Sequence, residues 1–165
     1  YHEDCHNQRL NNNNGFNLER ITYSQPTEST DNWTSAAETS GFATPGYRNS
    51  QHNDHQFSLS EDCFEVYPQV IIPDLDGIDD YAILNYGCLN SGSLATIIIY
   101  DAFGREIKSM LNNQLIPVDG QFIWDGTNNL GERVGMGNYI IQISLIEANG
   151  TSRVLREDVA VGTRF

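Results

Sequence analysis

Four carboxylates, Asp74, Asp76, Asp79 and Asp80, fall within seven positions around the single glycine Gly77, between the apolar runs Val70-Ile71-Ile72 and Tyr81-Ala82-Ile83-Leu84. Carboxylates this close repel one another unless water or a cation lies between them. A hard cation such as Ca²⁺ takes roughly six to eight oxygens from carboxylates, backbone carbonyls and water. The pattern Asp-x-Asp-Gly-x-x-Asp offers several of these in one tight turn, and glycine supplies the positive φ that such a turn needs. The expected metal ligands are Asp74, Asp76 and Asp80 with the Ile78 carbonyl, and Asp79 is a further helper. The alternative is a solvated acidic turn joining two strands. The loop is not an EF-hand: the twelfth position from Asp74 is Asn85, where a bidentate glutamate is required.

Other chemistry-bearing residues read more plainly. His2, Glu3, Cys5 and His6 lie close together, but no second pair follows at a zinc-ligand spacing, so they read as terminal polar residues. His52 and His55 read as solvated linker residues. Trp124-Asp125-Gly126 could stack a sugar, yet a tryptophan ending an alternating strand reads as core and Asp125 as the cap of the next turn. The chain has no Gly-x-Ser-x-Gly elbow, no phosphate-binding glycine loop and no Cys/His dyad with supporting context. Nothing sets two of its carboxylates in environments that would split their pKa values. No catalytic residue is expected, and no cofactor other than Ca²⁺.

The 165 residues carry 22 acidic against 9 basic side chains, a formal charge of −13, and Lys108 is the only lysine. That balance excludes a nucleic-acid-binding surface, which needs clustered Lys and Arg, and an anionic-membrane surface. No apolar run approaches the roughly 18 residues of a membrane span, so no membrane insertion is expected. Starting at Tyr1, the chain reads as an internal or processed fragment, so the want of a signal peptide says nothing about export. Three cysteines are too few for a disulfide framework. Cys63 and Cys88 flank the acidic loop, either as a bridge in an oxidising compartment or as two buried thiols.

The elements that must position the acidic loop lie in the second of two regions. Residues 1–56 are polar and poor in aliphatics, with one strand over Phe16–Tyr23, at most a helical turn over Ser35–Ser40, and a polar linker from Ser50 to Gln56. They hold too few apolar residues for a core and must lean on something else. Residues 57–165 carry β-type runs at Val66–Ile72, Tyr81–Tyr86, Ala95–Tyr100, Gln121–Trp124, Tyr139–Ile146 and Arg153–Val161. Turns at Asp101–Gly104, Thr127–Gly131 and Glu147–Gly150 separate some of them, the spacing of an all-β sandwich. From Tyr139 to Leu145 the odd positions are apolar while Gln142 and Ser144 face away, so one face is buried.

Two family resemblances rest on these residues. Gly15-Phe16-Asn17-Leu18-Glu19-Arg20-Ile21, Asn32-Trp33-Thr34-Ser35-Ala36 and Gly41-Phe42-Ala43-Thr44-Pro45-Gly46-Tyr47-Arg48-Asn49-Ser50 resemble the last third of bacterial lamin-tail domains, over roughly residues 1–51. From about Glu65 to Gly162 the chain resembles the immunoglobulin-like domain of flagellar hook-capping proteins, and more closely the copies ending large exported proteins. The residues that carry this are Pro73–Asp80, Ile98–Ile107, Trp124-Asp125-Gly126 and Gly137-Asn138-Tyr139. Ile72 stands where relatives have serine, while the aspartates at 74, 76 and 80 are kept.

Together the resemblances imply an immunoglobulin-like β-sandwich preceded by a partial, strand-poor lamin-tail-like segment. The implied role is a non-catalytic structural or interaction module at the C-terminus of an exported bacterial surface protein, secreted or cell-surface. Its partners would be upstream domains of the same protein or cell-surface components. The hairpin Tyr100–Arg105 also resembles the C-terminal sorting domains of gliding bacteria. A secretion-sorting domain is therefore one alternative, and a ligand-binding accessory module of a secreted hydrolase another. No residue pattern sets an oligomeric state.

Overall fold

The structure, a computed structural model, describes residues 5–7, 10, 12, 14–52, 63–74, 76–87 and 89–163. Two short strands, β1 (Leu18–Arg20) and β2 (Trp33–Ser35), precede the sandwich. The sandwich strands are β3 (Phe64–Tyr67), β4 (Val70–Ile71), β5 (Ala82–Tyr86), β6 (Leu94–Asp101), β7 (Glu106–Leu115), β8 (Gly120–Trp124), β9 (Gly137–Ile146) and β10 (Ser152–Val161). Helical structure among the described residues is confined to 3-10 conformation, in single turns at Thr30–Asn32 and Glu38–Ser40 and at Cys5, and no helix is long and apolar enough to cross a membrane.

Period-two alternation builds two facing sheets, one of five strands in the order β4-β10-β9-β6-β7 and one of three in the order β3-β5-β8. Ile97 and Ile99 of β6 and Ile141, Ile143 and Leu145 of β9 face Phe64, Val66, Ala82, Leu84 and Trp124 across one buried core. Each large apolar side chain withdrawn there contributes roughly 1.5–3 kcal/mol. Trp124 meets Tyr139 edge-on at 5.2 Å, one ring from each sheet, and Phe64, Tyr86 and Phe122 stack in a row along the three-stranded sheet. The chain is all-β, as the alternation implies.

Some elements differ from the sequence reading. The run Val66–Ile72 is two strands in different sheets, separated at Pro68, which has no N–H to give a ladder. The strand expected over Phe16–Tyr23 shrinks to β1, paired with β2, which the reading missed. The longest omission is β7. Its pairing with β6 shifts register three times, and Asn113 takes a positive φ of 52°. Such bulges interrupt the alternation that would have revealed it.

The N-terminal segment does lean on the sandwich. Its centre is the buried Glu19 carboxylate, which accepts hydrogen bonds from the hydroxyls of Thr44 and Ser50 and from the Gln51 N–H. Gln51, wholly buried, then reaches into the sandwich: Nε2 donates to the Ile116 carbonyl at 3.0 Å and Oε1 accepts from the Gly92 N–H at 2.8 Å. The Val118 N–H donates to the Ser50 carbonyl at 3.0 Å, and Asn7 Nδ2 donates to the Gly92 carbonyl at 3.1 Å. Ser50, Gln51 and His52, read as part of a polar linker with His52 in solvent, are instead buried. Polar residues can be buried where, as here, protein groups replace the water they lose.

Candidate metal site

The acidic loop spans the crossover from β4 in the five-stranded sheet to β5 in the three-stranded one. Its backbone closes on itself: the Ile72 N–H donates to the Asp79 carbonyl at 2.7 Å and the Asp74 N–H to the Ile72 carbonyl at 2.7 Å. Gly77 takes the expected positive φ, 88°, and Asp79 a positive φ of 54°. Aspartate is among the few side chains that tolerate this region.

The carboxylates order the turn from within. Asp74 Oδ1 accepts from the Asp76 N–H at 3.1 Å, and Asp76 Oδ1 from the Ile78 N–H at 2.9 Å, two successive Asx-turns. Asp80 Oδ2 reaches back to the Gly77 N–H at 2.7 Å. As a result Asp74, Asp76 and Asp80 each bring a carboxylate oxygen within 4.8 Å of the other two. Those are the three aspartates the sequence singled out. Asp79 is outside this group, and its carbonyl closes the loop on Ile72. Ile78 lends its N–H to Asp76 and leaves its side chain exposed.

The spread of oxygens fits a hard cation. Ligands at about 2.3–2.6 Å on opposite sides of Ca²⁺ stand roughly 5 Å apart, so a group within 4.8 Å lies inside one coordination shell. Without a counter-ion, two unit charges at that separation repel by about 0.9 kcal/mol even in bulk water. Asp74 and Asp76 are exposed and Asp80 half-buried, so water can complete the shell. An open hollow of about 310 Å³ borders the loop, with Asp74 and Arg133 in its wall.

The remaining candidates serve the fold. Trp124 is buried in the core, with Nε1 donating to the Thr127 carbonyl at 2.9 Å, so it is no sugar platform. Asp125 does cap its turn, accepting from the Thr127 N–H and hydroxyl and from Lys108 Nζ at 3.0 Å. His6 Nδ1 is 2.9 Å from the Ser35 hydroxyl oxygen. His52, expected in solvent, is buried against the Tyr23 ring at 4.5 Å. His2, Glu3 and His55 lie outside the described residues. Cys63 is disulfide-bonded and Cys5 is a buried free thiol, while Cys88 lies outside the described residues. The two-thiol alternative therefore fails at Cys63. Sequence reasoning missed the Glu19 and Gln51 contacts: Glu19 stands in a motif that assigns it no partner, and Gln51 in a segment that reads as linker.

No family model matches the chain, and no curated protein matches it. Solved structures do. PorZ, an essential bacterial surface component of the type-IX secretion system of Porphyromonas gingivalis, matches at 24% identity and a TM-score of 0.38, over 61% of this chain and 12% of that one. Dimeric latent PorU from the same organism matches at 16% identity and a TM-score of 0.45, over 61% of this chain and 9% of that one. FlgD from P. aeruginosa matches at 21% identity and a TM-score of 0.36, over 48% and 60%. The chain thus spans about a tenth of the first two structures. The lamin-tail resemblance of residues 1–51 is not confirmed by these matches.

Proposed function

We propose that this chain is a non-catalytic β-sandwich module of an exported bacterial protein, in which Ca²⁺ staples one crossover between the two sheets. Asp74, Asp76 and Asp80 hold the ion, and the Ile78 carbonyl and water complete its shell. The observation that carries the reading is the convergence of those three carboxylates within 4.8 Å. Support for an extracellular setting comes from the disulfide at Cys63, since such bonds persist in oxidising compartments. The module spaces or presents upstream parts of the same protein, or meets cell-surface components.

The test is a melting curve of the whole chain with Ca²⁺ and with chelator, repeated on Asp76→Ala. Binding to the native state at a hundredfold excess over Kd adds about 2.7 kcal/mol, which for a chain this size raises Tm by roughly 5–10 °C. The wild type should lose that increment on chelation, and Asp76→Ala should never show it. A wild-type Tm indifferent to chelator would falsify the cation site. The export reading is tested separately: the full-length gene product should be found outside the cytoplasm, and recovery of all of it from the cytosol would sink that reading.

A further inference from the structure

Strand β10 is paired along its whole length with β9, but on its other side β4 begins only at Ala160. The Ala160 N–H donates to the Gln69 carbonyl on that outer side. In a regular strand alternate N–H groups point the same way, so those of Ser152, Val154, Arg156 and Asp158 also point outward. Among the described residues these four have no ladder partner. The stretch without a ladder partner lies between the β9–β10 turn at one end and β4 at the other, and β3 of the facing sheet packs beside β10.

We infer that a second copy of this chain pairs with this edge, Ser152–Asp158 against Ser152–Asp158, antiparallel about a two-fold axis at Leu155. In that register Val154 faces Arg156 of the copy and Ser152 faces Asp158, so the outward amides of each copy meet those of the other. Arg153 then lies opposite Glu157, twice per dimer, in the closely spaced non-hydrogen-bonded position where opposite charges stabilise a ladder. Burial, then the adjacent Asp158 and Glu65, push the Glu157 carboxyl up, and an arginine arriving opposite offsets that crowding. Neighbouring registers lack this match. A shift of two residues one way sets Arg156 against Arg156, and a shift the other way sets Arg153 against Leu155 and Glu157 against Thr151. Shifts of one residue turn the amides out of phase. The inference does not depend on the cation site.

Sedimentation equilibrium of the whole chain tests it. Wild type should show a concentration-dependent dimer. Arg153→Glu, which sets like charges opposite each other, should be monomeric at the same concentrations, and Arg153→Glu with Glu157→Arg should regain the dimer. Val154→Pro should also be monomeric with its fold intact, because the lost N–H faces away from β9 and proline is tolerated on such an edge. If Val154→Pro fails to fold, the charge reversal and its repair carry the test alone. A wild type that stays monomeric, a dimer untouched by Arg153→Glu, or a double reversal no better than the single one overturns the proposal.

Discussion

The Tyr86 ring occupies the space that any side chain on Gly120 would need. A Cβ at Gly120 would stand 2.7 Å from the Tyr86 hydroxyl and 2.9 Å from Cζ, closer than carbon contacts allow. The ring cannot easily yield, because it is stacked between Phe64 at 5.7 Å and Phe122 at 5.2 Å. Gly120→Ala should therefore cost about 1–3 kcal/mol, the usual range for overpacking. In a Tyr86→Leu background the added penalty should shrink. Equal penalties in both backgrounds, by urea unfolding, would contradict the steric account.

Gln51→Ala should unfasten the N-terminal segment. It leaves the Ile116 carbonyl and the Gly92 N–H without their partners, at a cost on the order of 1–3 kcal/mol for each orphaned group. Limited proteolysis should then cut within residues 15–52 while the sandwich stays resistant. Unchanged cleavage would mean that the segment is held by other contacts.

Acid stability should depend on Asp101. Burial pushes its carboxyl up, but the Arg105 N–H at 2.9 Å, the Arg105 guanidinium at 2.7 Å and the Phe103 N–H at 2.9 Å outweigh that and hold it below the ordinary aspartate range. A carboxyl lowered by folding stabilises above its unfolded pKa, about 3.9, and that stability is lost as pH falls through the lower folded value. Asp101→Asn should melt below wild type near neutral pH, and the gap should close progressively below roughly pH 4. A gap that is constant down to pH 2 would exclude this linkage.

Gly77→Val tests the loop apart from its charge. At φ 88° a β-branched residue is strained, and such strain costs on the order of 1–3 kcal/mol. If the same conformation gathers the three carboxylates, the variant should also lose its response to Ca²⁺ in the melting assay. Retained Ca²⁺ stabilisation would show that the turn conformation is not needed for binding.

How much of this was legible in the sequence depended on how local the cause was. In β9, Tyr139, Ile141, Ile143 and Leu145 are buried as their spacing implies. The acidic loop was legible too, since its Asx-turns join residues two positions apart. Strand β7 was not, because Glu106–Leu115 is an edge strand with shifted register and mostly polar residues. Nor was the burial of Ser50, Gln51 and His52. Gln51 owes its place to Gly92 and Ile116, partners 41 and 65 residues away, and no local pattern encodes them.

The two-residue pairing of β4 with β10 is parallel, and this gives the module a direction under force. Tension applied before β4 and after β10 drags the two strands in opposite senses along a common axis. The bonds from Ala160 to Gln69 and from Gly162 to Ile71, both 2.8 Å, are then loaded together in shear and are not unzipped in turn. The acidic loop begins two residues beyond Ile71, at Pro73. An ion held there would stiffen the anchorage of β4, so a pulling experiment with and without Ca²⁺ should find rupture at higher force when the ion is present.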